Sequence, residues 1–389
     1  MNNSEELTIN YYENSNKVGI EQPDSNIIDI YLPVGVARTD VENDDNFIYK
    51  LINSILPANK KDLELNDNLN NENVEVWPIY SEIWLVKDYI YHGLYKELEK
   101  KYNINIGGKI NWKKTINQES IYYNNSIYYP KIIYENNKNT YSIITELQKY
   151  CLNMCTVGKF ICKLKENNFN LNIIINEETI NHYIYILRKE LSISFEDHKK
   201  QLLNSIINIL EYYSSNNITT VNSFITYEYH YSWEYMISYL FGNNKSLLKE
   251  VLPKAEYHIN NKEISNFSSL IPDTIFTKDD NVYILDSKYY NYGNIPATSD
   301  VCKQTEYCRT VKNKLKNNIY KKIFNSFILP KKVEEKHLYI GYANMTSNNE
   351  EESYKINIIY LDTLSIINMF YEGNKFQNIE FLEKNECTI

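Results

Sequence analysis

Ile271-Pro272-Asp273, followed by Ile284-Leu285-Asp286-Ser287-Lys288, sets two carboxylates and a lysine among apolar residues. A charge in a buried strand needs a partner or a cation, so solvation alone does not account for these three. Ser269 to Thr277 runs apolar and β-branched, Lys278-Asp279-Asp280-Asn281 is a polar turn, and Val282 to Tyr290 is strand-like again. That order predicts a hairpin. Side chains alternate along a strand, which puts Asp286 and Lys288 on one face, and the hairpin folds Asp273 back toward them. Asp273, Asp286 and the main-chain carbonyl of Ser287 make an oxygen donor set that suits Mg²⁺, a cation that keeps waters able to act as nucleophiles. Lys288 lies within reach of such a water, where its charge favours hydroxide and stabilises gathering negative charge. The competing interpretation is a hairpin that ends in surface charges.

The flanks add to this pattern. Phe224 to Phe241 carries Trp233, Ile237 and Leu240 or Phe241 at helical spacing, which predicts an amphipathic helix with Glu234 in its first half. Ser299-Asp300 reads as a helix start, a hydroxyl to cap and an acid for the first turn. Gln304 and Tyr307, three apart, then share one helix face.

These residues resemble the PD-(D/E)XK nucleases. Members of that group often donate an acid from the helix before the hairpin, which makes Glu234 the first candidate and Glu228 the second, against a solvated glutamate beside a core tryptophan. Gln304 and Tyr307 resemble the Gln-x-x-Tyr element of RecB-like nucleases, where such residues face the active site and the DNA backbone, against two surface polar groups. A more specific resemblance is to LlaJI-type restriction endonucleases, which are McrC-related. Tyr231-Ser232-Trp233-Glu234-Tyr235-Met236 with Leu240-Phe241-Gly242 carries it. So do Ile284 to Tyr290 with Pro296, Asp300 and Lys303-Gln304, and Gly108 to Ile116. The resemblance touches segments from about residue 77 to about residue 345.

The resemblance implies an α/β (α+β) fold. It has a C-terminal PD-(D/E)XK restriction-endonuclease-like core, a mixed sheet flanked by helices, and an N-terminal α/β accessory domain. It also implies a Mg²⁺-dependent DNA endonuclease subunit of a restriction system, with double-stranded DNA as substrate and an McrB-like GTPase as partner. The chain carries no GxxxxGK[ST] loop, since Gly107-Gly108-Lys109 lacks the earlier glycine and the following hydroxyl, so a nucleotide-driven step needs another subunit. In the implied mechanism Asp273, Asp286 and the Ser287 carbonyl hold Mg²⁺, and Glu234 supports it or a second ion. Lys288 positions or deprotonates the attacking water. Gln304 and Tyr307, with Lys303 and Arg309, help place the DNA strand. The alternatives are a nuclease of the same fold for repair or recombination, and a catalytically inactive DNA-binding subunit.

Composition bounds the rest. The chain has 389 residues, 37 tyrosines and few glycines or prolines, and is long enough for two domains. No apolar run approaches membrane-span length and the N-terminus is polar, which predicts a cytoplasmic protein with no membrane partner, a homodimer being one assembly open to it. Cys151, Cys155, Cys162, Cys302, Cys308 and Cys387 form no CxxC pair, so a cysteine zinc site is not expected and reduced thiols are. His230, His258 and His337 are scattered and form no metal motif.

The net charge of −9 argues against DNA only if charge is spread evenly, because binding depends on local patches. From Val301 to Lys336 a surplus of about seven positive charges gathers beside the proposed site, including Lys303, Arg309, Lys312, Lys314, Lys316, Lys321, Lys322, Lys331, Lys332 and Lys336. The alternative is a solvated lysine-rich helix and loop. Lys109, Lys113 and Lys114 form a smaller basic group around Trp112, which is expected to be structural.

Along the chain, residues 1 to about 25 read as loose, 27–34 as a strand, 49–56 as a helix and 60–73 as a linker. Helices are expected over 80–101, 140–164 and 195–213, and a strand over 121–134. Strands at 337–345 and 356–361 and a helix at 364–371 complete the C-terminal third. A boundary near residue 190 would separate an accessory domain, residues 1–190, binding partner or DNA, from the nuclease domain, residues 191–389.

Overall fold

The hairpin forms with a two-residue turn. Thr274–Lys278 pairs antiparallel with Asn281–Ser287, in register from Thr274 opposite Leu285 to Lys278 opposite Asn281. Asp279 and Asp280 have φ of 49° and 63°, left-handed values that short acidic side chains tolerate and that match the twist of the strands. The structure is a computed structural model that describes residues 7–44, 46–55, 77–105, 107–165, 168–215, 221–244, 246–247, 255–259, 262–266, 271–290, 293–315, 322–345 and 354–387. Ser269 and Leu270, Lys316, Lys321 and the expected linker at 60–73 lie outside the described residues.

The chain divides into two units, Met1–Val74 with Val221–Ile389, and Glu75–Thr220. The division therefore does not fall at one point near residue 190. Residues 197–215 pack in the second unit, and residues 7–55 belong to the first.

In the first unit a mixed sheet runs in the order Thr274–Lys278, Asn281–Ser287, Lys322–Lys331, Ile356–Asp362, His337–Ala343. Asn281–Ser287, Lys322–Lys331 and Ile356–Asp362 are parallel, and the two outer strands are antiparallel to their neighbours. The central strand was hidden in the lysine-rich run: Ile323 to Leu329 is buried throughout, as a parallel strand covered on both faces requires, and lysines flank it. Helix Thr298–Leu315 packs on the sheet through Tyr307, Cys308 and Val311 against Val282 and Ile284. Asp286 shares that strand face. The mixed sheet flanked by helices is a nuclease-like α+β fold.

The N-terminal residues are ordered strands. Thr8–Tyr12, Ile27–Tyr31 and Val18–Asp24 form a sheet completed by Asn222–Thr226, so Phe224 to Thr226 is strand and the helix starts at Tyr229. The β-branched and aromatic residues there find a partner in Val18 to Gln22. The chain then runs along the ends of the core strands. Thr363 Oγ1 donates to the Val34 carbonyl at 2.7 Å, and the Val34 N–H donates to Tyr289 Oη at 2.8 Å. Gly35, at φ 83°, passes so close that a Cβ would stand 2.7 Å from Thr363 Oγ1.

The second unit is mostly helical. Helices Ile79–His92, Ile143–Met154, Glu177–Ile193 and Asp197–Ser215 share a core that includes Leu85, Leu147, Leu187, Leu202, Ile206 and Leu210. The first helix stops at Gly93, φ 75°, rather than running to residue 101, and Glu97–Ile104 is a strand paired with Ile133–Thr140. The 121–134 stretch is a hairpin, Ile121–Tyr123 with Ser126–Tyr128, followed by that longer strand. The 140–164 helix is broken into Ile143–Met154 and Thr156–Ile161. Within the core Glu82 is fully buried, and its Oε1 accepts from Trp77 Nε1 at 2.7 Å and from the Tyr213 hydroxyl at 3.1 Å. Among the described residues no helix is long and apolar enough to cross a membrane.

Candidate active site

The hairpin delivers its charges to the C-terminal end of Asn281–Ser287. Asp273 sits just before the first strand, and its Oδ2 accepts from the Ser287 N–H at 2.6 Å, which locks it across from Asp286. The Lys288 N–H bonds the Ile328 carbonyl at 2.9 Å and holds that residue at the sheet end. From there Lys288 Nζ reaches Asp286 Oδ2 at 2.9 Å and Asp300 Oδ1 at 3.3 Å.

Helix Tyr229–Phe241 supplies the third acid. Trp233, fully buried, donates from Nε1 to the Ile328 carbonyl at 3.4 Å, which anchors the helix on the end of the central strand. The next residue, Glu234, lines a cavity of about 520 Å³ with His230, Ser287, Lys288 and Tyr290. Its charge reaches Asp273. Burial, then Asp286, then Glu234 push the Asp273 carboxyl up to about 8, against the Ser287 N–H and Lys288. Burial raises Asp286 as well, with Asp300 adding to it and Lys288 opposing. Burial alone would lower the Lys288 ammonium, but Asp286, Asp300 and Asp273 outweigh it, so Lys288 stays protonated well past the usual lysine range.

The structure thus brings Asp273, Asp286, Ser287, Lys288 and Glu234 together. Glu228 instead pairs with His230 at 3.1 Å. Gln304 and Tyr307 do share a helix face, but that face is buried against the sheet. Tyr307 is raised to about 12 by burial, Asp286 and Asp273. The Gln304 amide eases the charge on Asp286, yet neither of its polar atoms makes a hydrogen bond of ordinary geometry among the described residues, and Ser287 Oγ is buried in the same state. Lys303 and Arg309 are exposed on the same helix, Arg309 3.9 Å from Glu306.

The positive surplus around this helix is smaller than the sequence count. Lys322 pairs with Glu386 at 2.8 Å, Lys332 with Asp40 at 2.6 Å, and Lys312 is buried with its ammonium over the Tyr354 ring. Trp112, expected to be structural, is 59% exposed.

Asp300 had only been read as a helix-start acid. Its Oδ2 accepts from the Ala297 N–H at 3.1 Å, as a cap does, and from the Tyr290 hydroxyl at 3.2 Å, while Oδ1 faces Lys288. Burial would raise its carboxyl, but Lys288 and these donors hold it below the usual range. A lysine at the strand end and an acid in the next helix's first turn are the signal for this contact. A second group outside this site, Asp88, His92 and His198, also escaped the sequence reading, because His198 lies 110 positions beyond Asp88.

No curated protein matches the chain. Among solved structures, similarity is found to a chain of the Thermococcus gammatolerans assembly of McrB AAA+ hexamers with bound McrC, at 14% identity and a TM-score of 0.37, covering 92% of this chain and 82% of that one. A family model described as LlaJI restriction endonuclease matches residues 31–363, which include every residue of the hairpin site. The chain belongs to the LlaJI restriction endonuclease family.

Proposed function

We propose that the chain is a Mg²⁺-dependent DNA endonuclease of the PD-(D/E)XK type, the cutting subunit of a cytoplasmic restriction system that works with an McrB-like GTPase. One observation carries this reading: Asp273 and Asp286 lie beside Lys288 with Glu234 near enough for its charge to act, and burial first, then Asp286 and Glu234, lifts the Asp273 carboxyl to about 8. Like charges buried together call for a cation. Asp273 and Asp286, with the Ser287 carbonyl and with Glu234 in support, are oxygen donors of the kind Mg²⁺ takes. A divalent cation there would supply positive charge against the scissile phosphate and lower the cost of attack by water.

The chain's own residues do the rest. Hydrolysis forms a P–O bond to a water oxygen as the opposite P–O ester bond breaks; the water gives up a proton to solvent, and the departing alkoxide takes one up from solvent. Lys288, held protonated between Asp286 and Asp300, offsets charge on the phosphoryl oxygens and orients the water rather than deprotonating it. Gln304 and Tyr307, buried beside Asp286, fix the carboxylates instead of gripping the strand. Lys303 and Arg309 provide exposed charge for the DNA backbone. The absence of a GxxxxGK[ST] loop assigns nucleotide hydrolysis to the partner. The unit of residues 75–220 takes the partner- or DNA-binding role.

The test is cleavage of methylated and unmethylated plasmid, in Mg²⁺ and in EDTA, with and without the GTPase and GTP. Cleavage should need Mg²⁺ and should vanish in Asp286→Ala while DNA binding persists. Cutting in EDTA, or by Asp286→Ala, overturns the mechanism. DNA binding with no cutting in any arm favours the inactive DNA-binding subunit.

A further inference from the structure

In the helical unit, two imidazoles converge on one buried carboxylate oxygen. Asp88 and His92 stand one turn apart on helix Ile79–His92, so they share a face. His198 is the second residue of helix Asp197–Ser215 and lies 110 positions beyond Asp88. His92 Nδ1 is 2.9 Å from Asp88 Oδ1, and His198 Nε2 is 2.6 Å from the same oxygen. The three donor atoms all lie within 4.8 Å of one another.

The surroundings are those of a ligand set. The Asp88 side chain is 4% exposed, and among the described residues its ion pairs are to these two rings, not to lysine or arginine. A carboxylate that is buried needs compensating positive charge. The rings do not stack: their centroids are 4.9 Å apart at 66°, so their edges meet near one point. Trp84 packs against His198 at 5.9 Å and limits its rotation. The His92 and His198 side chains are 63% and 40% exposed, so the open side of the cluster faces water.

Two imidazoles and one carboxylate are the nitrogen and oxygen donors that transition metals take, whereas Mg²⁺ prefers oxygen alone. Ligands about 2.0–2.2 Å from a zinc ion stand a little over 3 Å from each other, so the two distances to Asp88 Oδ1 would lengthen by about half an ångström and the span of the set, within 4.8 Å, would tighten. Three protein ligands leave a further position open to water or to a group from outside.

We propose that Asp88, His92 and His198 form a transition-metal site of the Zn²⁺ class that clips the C-terminal end of one helix to the N-terminal end of another. The site is separate from the hairpin carboxylates and does not depend on their role. A metal that binds only the folded arrangement stabilises it by mass action.

The test uses the full chain, stripped with EDTA and titrated with Zn²⁺ by calorimetry and with Co²⁺ by visible absorption. Asp286→Ala serves as the background, so that weak binding at the hairpin is suppressed. One equivalent of metal should bind, with Co²⁺ bands that report nitrogen ligands and with a rise in melting temperature. His92→Ala and His198→Ala should each weaken binding by more than about a hundredfold, since even loss of a group that only hydrogen-bonds a metal's ligand costs ten- to a hundredfold. Both rings are exposed enough for these variants to fold. His182→Ala, an exposed histidine of the same unit, should leave binding unchanged. Loss of the equivalent in both ligand variants alone supports the site. Absence of tight binding, or binding that survives both changes, overturns it and leaves an ordinary imidazole–carboxylate cluster.

Discussion

Asp273, half-buried, and Glu82, fully buried, are both acids held above the usual carboxylate range, to about 8 and about 7, and their surroundings differ in kind. After burial, what raises Asp273 is negative charge, from Asp286 and then Glu234, and the Ser287 N–H and Lys288 oppose it. Glu82 is raised by burial, and Trp77, Tyr213, the Gly158 N–H and Lys159 pull it back. The helical unit therefore gives Glu82 Oε1 two side-chain donors, while Oε2 is buried without a hydrogen bond of ordinary geometry among the described residues. The hairpin leaves its acids facing one another beside a cavity. A raised acid held mainly by donors of its own core is a packing feature, whereas an acid raised by neighbouring carboxylates marks a candidate functional site.

That contrast breaks most readily at Lys288, the cation the hairpin does provide. Lys288→Ala should lower the cleavage rate by about a hundred- to a thousandfold, the scale on which one preorganised charge acts in a transition state. DNA binding should change little. If single-turnover cleavage stays within a few-fold of the wild type, the ammonium is only neutralising Asp286, and the hairpin becomes as structural as Glu82.

Asp300 gives a smaller and more selective effect. Asp300→Asn keeps the shape and the Ala297 cap but removes one of the two carboxylates that hold Lys288. The ammonium is then freer to leave its place, and cleavage should fall by about tenfold. With one negative neighbour gone, the Lys288 pKa should drop, so the alkaline limb of the pH–rate profile should move to lower pH. A rate loss with an unmoved profile would mean that Asp300 serves only the helix start.

Much of this site was legible because its chemistry is local in sequence. Asp273, Asp286 and Lys288 lie on one hairpin, whose turn and alternation fix their faces, and Glu234 follows from the tryptophan helix. Gln304 and Tyr307 were placed on one face correctly, but spacing cannot tell a face turned to solvent from one turned to a carboxylate. The central strand Lys322–Lys331 was obscured because lysines at both ends outweighed the apolar run between them. Residues 8–24 read as loose, and all of 8–31 as part of the accessory half, because the sheet they form is completed through Val18–Gln22 by Asn222–Thr226, about two hundred positions away. The Asp88, His92 and His198 cluster was hidden by the same kind of distance.

Glu82 tests the other side of the comparison, where no loss of cleavage is expected. Its pKa is higher in the folded chain, about 7, than the ordinary value of 4.5. Between those values the folded state therefore holds more protons than the unfolded one. The full stability is present below the unfolded pKa and is lost as pH rises through 7. The loss amounts to about 3 kcal/mol for a shift of this size. Glu82→Gln has no charge to bury, so this dependence should disappear while the Trp77 and Tyr213 contacts remain. Amide exchange in helix Ile79–His92, corrected for intrinsic rates, should show wild-type protection falling from pH 5 to pH 8 and variant protection changing less. Mg²⁺ should not restore the wild-type loss, because among the described residues no second acid acts on Glu82 to share a cation, whereas it should protect the hairpin 273–288. A pH dependence that persists in Glu82→Gln, or one that Mg²⁺ removes in this helix, would erase the distinction between an acid satisfied by its own fold and acids that wait for a metal.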